Sequence, residues 1–274
     1  MPELPEVESI AARLRSGNAQ SPPLLGARIL SARVFWQRSV AEPPAEIFVQ
    51  RLQGQTICEI RRRGKFLVCE LEGLTLLVHL RMSGDLWMEP SSQPVAAHCR
   101  VALSLDSGYR LTFHDPRKFG RMWLLEDPER VLGELGPEPF DPGLTSEAFF
   151  EKLSSVRRRL KSLLLDQRFL AGLGNIYTDE ALHCAGLHPL TLSAQVSPSQ
   201  AERLLACIRA VLAEGIRRSG ASIDWVYRGG DFQNYFRVYR RTGLPCPTCG
   251  APIRRILLGQ RGTHFCPQCQ VLPS

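Results

Sequence analysis

Two cysteine pairs near the C-terminus, Cys246-x-x-Cys249 and Cys266-x-x-Cys269, constrain this chain more than any other feature. Each pair can turn two thiolates onto one ion, and the sixteen residues between the pairs suffice for a hairpin that brings the two turns together. Four thiolates complete a tetrahedral shell and leave no open coordination position. The expected metal is therefore a single structural Zn2+ that folds the hairpin and performs no catalysis. The hairpin carries Arg254, Arg255 and Arg261. The other cysteines, Cys58, Cys69, Cys99, Cys184 and Cys207, are scattered, mostly among apolar neighbours, and read as reduced thiols. With no secretory signal, and with apolar runs such as 76–80 too short to span a bilayer, they point to a reducing cytoplasm.

At 274 residues and 44% hydrophobic content, the chain can bury about two cores. A formal net charge of +7 favours a polyanionic partner. Residues 27–35, 56–62, 65–71, 74–80, 100–105, 109–114 and 121–125 are short, β-branched or aromatic, and bounded by turn signals. Asp106-Ser107-Gly108 is the clearest hairpin among them, and the seven runs together predict a β-sandwich or barrel. Residues 133–143 hold three glycines and three prolines, a boundary composition. Beyond it the period is helical, at 147–155, 156–165 and 178–184. A capping box at Ser197-Pro198-Ser199-Gln200 then opens a long helix with Leu204, Leu205, Ile208, Val211 and Leu212 as its buried stripe. The expected fold is multidomain α+β. An N-terminal β-sandwich with an N-terminal helix spans 1–132, a linker 133–144, a helical domain 145–237 and the zinc finger 238–272.

The first eight residues, MPELPEVE, hold the chemistry. Pro5 suits a first helical position, Glu6 and Glu8 favour the positive end of the helix dipole, and Val7, Ile10, Ala11 and Leu14 recur at helical spacing. Loss of Met1 leaves Pro2 with a free secondary amine. An α-amino group titrates near 7.7–8.0, so about one in seven is neutral at pH 7 and able to attack an electrophilic sugar carbon. The product is an iminium that has no N–H proton to lose and stays an electron sink. Glu3 stands beside it as a general acid–base.

MPELPEVE closely resembles the start of the bacterial formamidopyrimidine-DNA glycosylases, in the family shared with endonuclease VIII. RRRGKFL, HLRMSG, DPRKFGR, LAGLGNIYTDEAL and CPTCG…CPQCQ follow in that family's order, over nearly the whole chain. The resemblance implies a helix–two-turn–helix domain ahead of the zinc finger. It also implies a monomeric base-excision-repair enzyme, both DNA glycosylase and abasic-site lyase, acting on oxidised purines in damaged double-stranded DNA. It assigns Pro2 as nucleophile, Glu3 to protons at the sugar, Glu6 to support of the site, and Lys65 to phosphates near the anomeric carbon. Met82 and Phe119 would wedge into the duplex while Arg117 pairs with the orphaned base; His79, Lys118, Asn175 and Arg261 would contact DNA. Extruding a base costs a few kcal/mol, which an apolar plug and a guanidinium can offset.

Leu4 matches the purine-lesion branch, since endonuclease VIII-like members usually have glycine there. An oxidised-pyrimidine glycosylase is the alternative enzyme, and intact Pro2 and Glu3 argue against a non-catalytic damage-binding protein. The stretch 219–239, where the family places its base-capping loop, is short and carries Asp224 where a lysine is often seen.

Overall fold

The structure, a computed structural model, describes residues 1–223 and 229–273; Asp224 lies outside the described residues. The chain divides into two compact units, 1–134 with 221–230, and 135–220 with 231–274.

In the first unit the elements are α1 (Leu4–Ser16), β1 (Ile29–Val34), β2 (Val40–Glu42), α2 (Ala45–Leu52), β3 (Ile57–Arg63), β4 (Phe66–Leu71), β5 (Thr75–His79), β6 (Asp85–Pro90), β7 (Cys99–Leu105), β8 (Tyr109–His114), β9 (Arg121–Leu125) and α3 (Glu129–Leu132). They form a four-stranded sheet in the order β1-β7-β8-β6 and a five-stranded sheet in the order β2-β9-β5-β4-β3. Every pairing is antiparallel except β2 with β9. Ile29, Val101, Leu103, Leu111 and Phe113 from one sheet share a core with Ile60, Leu67, Leu76, Val78, Met122 and Leu124 from the other. Helix α1 adds Val7, Ile10, Ala11 and Leu14 to that core, the stripe its sequence period predicts. Its polar side is tied to β3, because Glu8 accepts from both Arg15 (2.6 Å) and Arg62 (3.1 Å).

Four elements of this unit, β2, α2, β6 and α3, are absent from the sequence expectation, and two of them show why. The run Asp85–Pro90 shows no clean alternation and ends in proline, yet it pairs along its length with β8, from Asp85↔His114 to Pro90↔Tyr109. As a sheet-edge strand it tolerates the proline that marks it as irregular in sequence. Helix α2 follows Pro43-Pro44, where Pro44 is the N-cap and the single turns behind it bury Phe48 and Leu52.

The second unit holds α4 (Ser146–Ser154), α5 (Leu160–Leu164), α6 (Asn175–Ala185), α7 (Pro198–Arg217), β10 (Arg254–Leu258) and β11 (Arg261–Phe265). Helix α7 opens with both arms of its capping box, Gln200 N–H to Ser197 Oγ at 3.2 Å and Ser197 N–H to Gln200 Oε1 at 2.8 Å. Helix α5 is much shorter than the run 156–165 predicts. Arg159 is extended and bridges Leu192, so helical hydrogen bonding cannot start before Leu160. Cys184 on α6 and Cys207 on α7 are joined as a disulfide with Cα atoms 5.7 Å apart, a correction to the expectation of two separate thiols. Of the remaining thiols outside the zinc finger, Cys69 and Cys99 are buried and Cys58 is exposed. Burial pushes Cys69 up to about 12 and Cys99 up to about 11, so both are inert thiols at neutral pH. Among the described residues, no helix is long and apolar enough to cross a membrane.

Candidate active site and nucleic-acid interface

At the N-terminus Pro2, Glu3 and Glu6 are all buried, the two glutamates at 2% exposure each. A carboxylate this deep needs hydrogen-bond donors. Glu6 has them on both oxygens: Oε2 accepts the N–H of Glu3 at 2.7 Å and Oε1 accepts the N–H of Ala221 at 2.7 Å. Glu6 thus fixes the backbone of Glu3 at the start of α1 and joins it to the segment that begins at residue 221. The nitrogen of Pro2 is acylated by Met1 in the full sequence, so its amine is latent until Met1 is removed.

Lys65 lies at the two-residue turn between β3 and β4, where Gly64 takes φ +57°. Lys65 is only 5% exposed, although it closes the basic run Arg61-Arg62-Arg63-Gly64-Lys65. Across the sheet Phe66 is in register with His79, and the two rings meet edge-on with centroids 4.7 Å apart. His79 Nδ1 accepts the N–H of Arg81 at 3.0 Å, which leaves the ring proton on Nε2. Burial, then the charges of Arg81 and Lys65, push His79 down to about 3. It is a neutral imidazole at physiological pH.

Met82 is 40% exposed and Phe119 48%, and both belong to loops of the first unit, with Arg117 and Lys118 exposed in the same loop as Phe119. Arg117 Cζ lies 5.1 Å from the centroid of the Phe119 ring, and Lys118 Nζ 4.1 Å from that of Trp36. These side chains carry cations on aromatic faces at the surface.

In the second unit, Gln167 braces the glycine-rich turn ahead of α6. Its amide nitrogen donates to Leu165 O (3.0 Å) and Leu173 O (2.9 Å), while its oxygen accepts from Gly172 N–H (3.0 Å). Gly172 itself takes φ +98°, a conformation that an L side chain avoids. Asn175 is the first residue of α6, and its Nδ2 donates to Gly262 O at 3.0 Å, next to Arg261 on the zinc hairpin. The exposed Arg261 and the half-buried Asn175 are therefore brought to one place through that bond.

Below them runs a polar network that motif reading does not find. Asp179 and Lys161 are both fully buried and paired at 2.7 Å; Lys161 Nζ also reaches Asn175 O at 2.9 Å. The other Asp179 oxygen accepts the backbone N–H of His264 at 2.9 Å and meets its Nδ1 at 3.1 Å. Neighbouring Glu180 accepts three backbone N–H groups, from Arg237, Val238 and Tyr239, at 2.8–3.1 Å. The signal for this in sequence is the pair Asp179-Glu180 inside an otherwise apolar helix.

The four cysteines expected to hold zinc have their sulfur atoms within 4.8 Å of one another. Cys246 and Cys269 sulfurs are 3.9 Å apart, Cys249 and Cys266 sulfurs 3.4 Å. A tetrahedron with metal–sulfur bonds near 2.3 Å has edges of about 3.8 Å, so the set fits a four-thiolate zinc ion. Backbone N–H groups of Thr248 and Cys269 point at Cys246 and Cys266 sulfurs at 3.4 Å each, and His183 Nε2 lies 3.4 Å from Cys246 sulfur. Such outer contacts orient thiolate ligands and offset their charge.

Residues 1–122 match the model of the formamidopyrimidine-DNA glycosylase N-terminal domain. Residues 135–226 match that of the family's H2TH domain, and 243–271 a zinc finger found in FPG and IleRS. The chain is 42% identical to the formamidopyrimidine-DNA glycosylase of Protochlamydia amoebophila over 98% of this chain and 99% of the relative. With that of Chloroflexus aggregans the identity is 43%, over 99% of each. Among solved structures it is similar to Lactococcus lactis Fpg in complex with Fapy-dG DNA, with a TM-score of 0.90 and 35% identity. A structure of MutM in complex with carbocyclic 8-oxo-G DNA gives the same two values, and each similarity covers 98% of this chain and 100% of the other. On the full-length match of all three parts, the chain belongs to the formamidopyrimidine-DNA glycosylase family.

Proposed function

We propose that this protein is a bifunctional DNA glycosylase and abasic-site lyase that removes 8-oxoguanine and formamidopyrimidines from duplex DNA. The chain works as a monomer in the cytoplasm. A catalytic domain at 1–132 is followed by a linker at 133–144, a helix–two-turn–helix domain at 145–237 and the zinc finger at 238–272. The observation that carries the reading is the full-length likeness to Fpg and MutM structures with Fapy-dG and 8-oxo-G DNA, together with a buried Pro2-Glu3 start held by Glu6.

Once Met1 is removed, the lone pair of Pro2 nitrogen attacks C1′ of the damaged nucleoside. The bond from C1′ to the base breaks, its electron pair leaves with the base, and the base takes up a proton. Glu3 takes the N–H proton from the attached nitrogen and delivers it to O4′ as the sugar ring opens, and the nitrogen's freed lone pair forms the iminium. Loss of a C2′ proton into that electron sink gives an enamine whose electrons expel the 3′ phosphate. Loss of the C4′ proton then expels the 5′ phosphate, and water hydrolyses the remaining iminium to free Pro2. Glu6 stays engaged by two backbone N–H groups and holds Glu3 in place without reacting. Lys65 supplies a buried cation for phosphates near C1′, and His79 offers a neutral Nε2–H donor. Met82, Arg117 and Phe119 fill the space of the extruded nucleoside, with Lys118, Asn175 and Arg261 on phosphates. Zinc supplies the fold of the hairpin that presents Arg261.

Borohydride reduction during turnover on a duplex with one 8-oxoguanine should trap a covalent protein–DNA adduct, and peptide mapping should place it on Pro2. Glu3→Gln should nearly abolish base release while sparing cleavage at a preformed abasic site. Retention of Met1 in fully active protein, or an adduct on a lysine, would refute the mechanism.

A further inference from the structure

The three exposed residues assigned to the duplex interior, Met82, Arg117 and Phe119, sit on two loops, 80–84 between β5 and β6 and 115–120 between β8 and β9. One side chain stands between those loops. Asp115 is fully buried, and its carboxylate is shared between them. Oδ1 accepts the hydroxyl of Ser83, a residue only 2% exposed, and Oδ2 accepts the N–H of Gly120 at 2.7 Å. Ser83 Oγ then accepts the N–H of Arg117 at 3.2 Å. Each exposed residue is thereby bonded or adjacent to a clamped atom: Met82 precedes Ser83, Phe119 precedes Gly120, and Arg117 is held by its own amide.

The backbone closes the same joint. Asp115 N–H donates to His98 O at 3.0 Å, and Asp115 O accepts Arg100 Nε at 2.7 Å and Lys118 N–H at 3.3 Å. A Cβ added at Gly120 would collide with the Phe113 ring, and one at Gly84 would lie 2.5 Å from Leu80 O. Both loops are packed to the limit at their bases and exposed only at their tips.

We propose that Asp115, acting through Ser83, is a positioning residue that holds Met82, Arg117 and Phe119 as one preformed wedge for the gap left by an extruded nucleoside. The proposal rests on the function proposed above for those three residues. Its physical basis is that a wedge offsets the cost of unstacking only if its parts are ordered before they enter. Loops that ordered on binding would give up free energy that the clamp has already committed on folding. The carboxylate is suited to the task because it accepts only, so one buried charge can draw in a hydroxyl from one loop and an amide from the other.

The test compares wild type, Ser83→Ala and Asp115→Asn in the full-length protein, with zinc content and circular dichroism as controls of folding. Single-turnover excision is measured on two duplexes, 8-oxoguanine opposite cytosine and 8-oxoguanine opposite a tetrahydrofuran abasic analogue, where no orphaned base has to be held. Ser83→Ala removes a hydrogen bond to a buried charge and strands the Arg117 amide. Excision opposite cytosine should fall about ten- to hundredfold. Opposite the analogue Met82 and Phe119 still have a gap to fill but Arg117 has no base to pair with, so excision should fall there too, by a clearly smaller factor. Asp115→Asn keeps the shape, can still accept from Gly120 and can donate to Ser83, and should fall between Ser83→Ala and wild type. A second readout needs no catalysis: 2-aminopurine placed opposite a tetrahydrofuran site reports how the orphaned base is held, and its fluorescence in the complex should differ between wild type and both variants. Equal losses on the two duplexes, or unchanged excision and unchanged fluorescence, would overturn the proposal. A wild type that binds the tetrahydrofuran duplex but excises nothing would refute the proposed activity instead, while the fluorescence comparison would still decide the clamp.

Discussion

The neutral state of His79 ties the stability of the first unit to pH. The folded protein holds this imidazole at about 3, whereas an unfolded chain returns it to about 6.5. Between those values the unfolded state binds a proton that the folded state refuses, so stability rises with pH across that window and falls as the solution is acidified. At pH 5 the unfolded state gains 1.36 kcal/mol per unit over the 1.5 units below 6.5, about 2 kcal/mol; at pH 7.5 the same contribution is near zero. Trp36, Trp87 and Trp123 all lie in the first unit, so urea unfolding followed by tryptophan fluorescence reports its stability. His79→Gln keeps an acceptor for the Arg81 amide and removes the titration. Its stability at neutral pH will drop with the loss of the edge-on contact to Phe66, but that loss is the same at both pH values. The quantity of interest is the difference between the two proteins in their loss from pH 7.5 to 5.0. Wild type should lose about 2 kcal/mol more than His79→Gln. His114, which burial also pushes down, is present in both and cancels. Parallel pH profiles for the two proteins would show that His79 is protonated in the folded state and refute the assignment of a neutral ring.

Cys249→Ser should lose zinc and tight DNA binding while the tryptophan-reported transition of the first unit is unchanged, as checked by metal analysis and urea unfolding. Arg261→Ala should keep the metal and weaken binding similarly across DNA sequences, with the salt dependence less steep by about one counterion; loss of zinc with affinity would refute the separation of roles. Lys65→Ala should retain the fold and lower single-turnover base release by about 10²-fold, the scale of removing one preorganised charge from a reacting centre. Lys161→Met leaves the Asp179 charge buried with His264 alone as partner, and should cost about 3–5 kcal/mol in the unfolding of the second unit by circular dichroism.

The elements that were legible in the sequence are those whose determinants are local. The capping box at Ser197 and Gln200, the Pro5 start of α1 and the two Cys-x-x-Cys turns each lie within a few residues, and each forms where its spacing predicts. Strands with apolar runs were legible as well, whereas β6 was not, because an edge strand needs no clean alternation to pair. The candidate site divides along the same line. Pro2 and Glu3 can be argued from amine chemistry, but Met82, Arg117 and Phe119 carry no local signal, since an exposed methionine or phenylalanine beside a glycine is ordinary. The bonds that hold the site are longer still in sequence. Ser83 and Asp115 are 32 residues apart, Asp179 and His264 85, and Glu6 and Ala221 215. No rule of period or spacing reaches that far, yet each of these pairs includes a carboxylate inside an apolar or tightly turned stretch. A carboxylate in such a place is stable only if the fold brings it donors. The sequence therefore marks which residues must be joined at long range, and only the tertiary structure names their partners: two backbone amides for Glu6, a hydroxyl and an amide for Asp115, a lysine and a histidine for Asp179. In each case at least one partner lies in or near a segment proposed to meet DNA or the reacting sugar, so the buried charges that stabilise the fold also order the backbone around the proposed site.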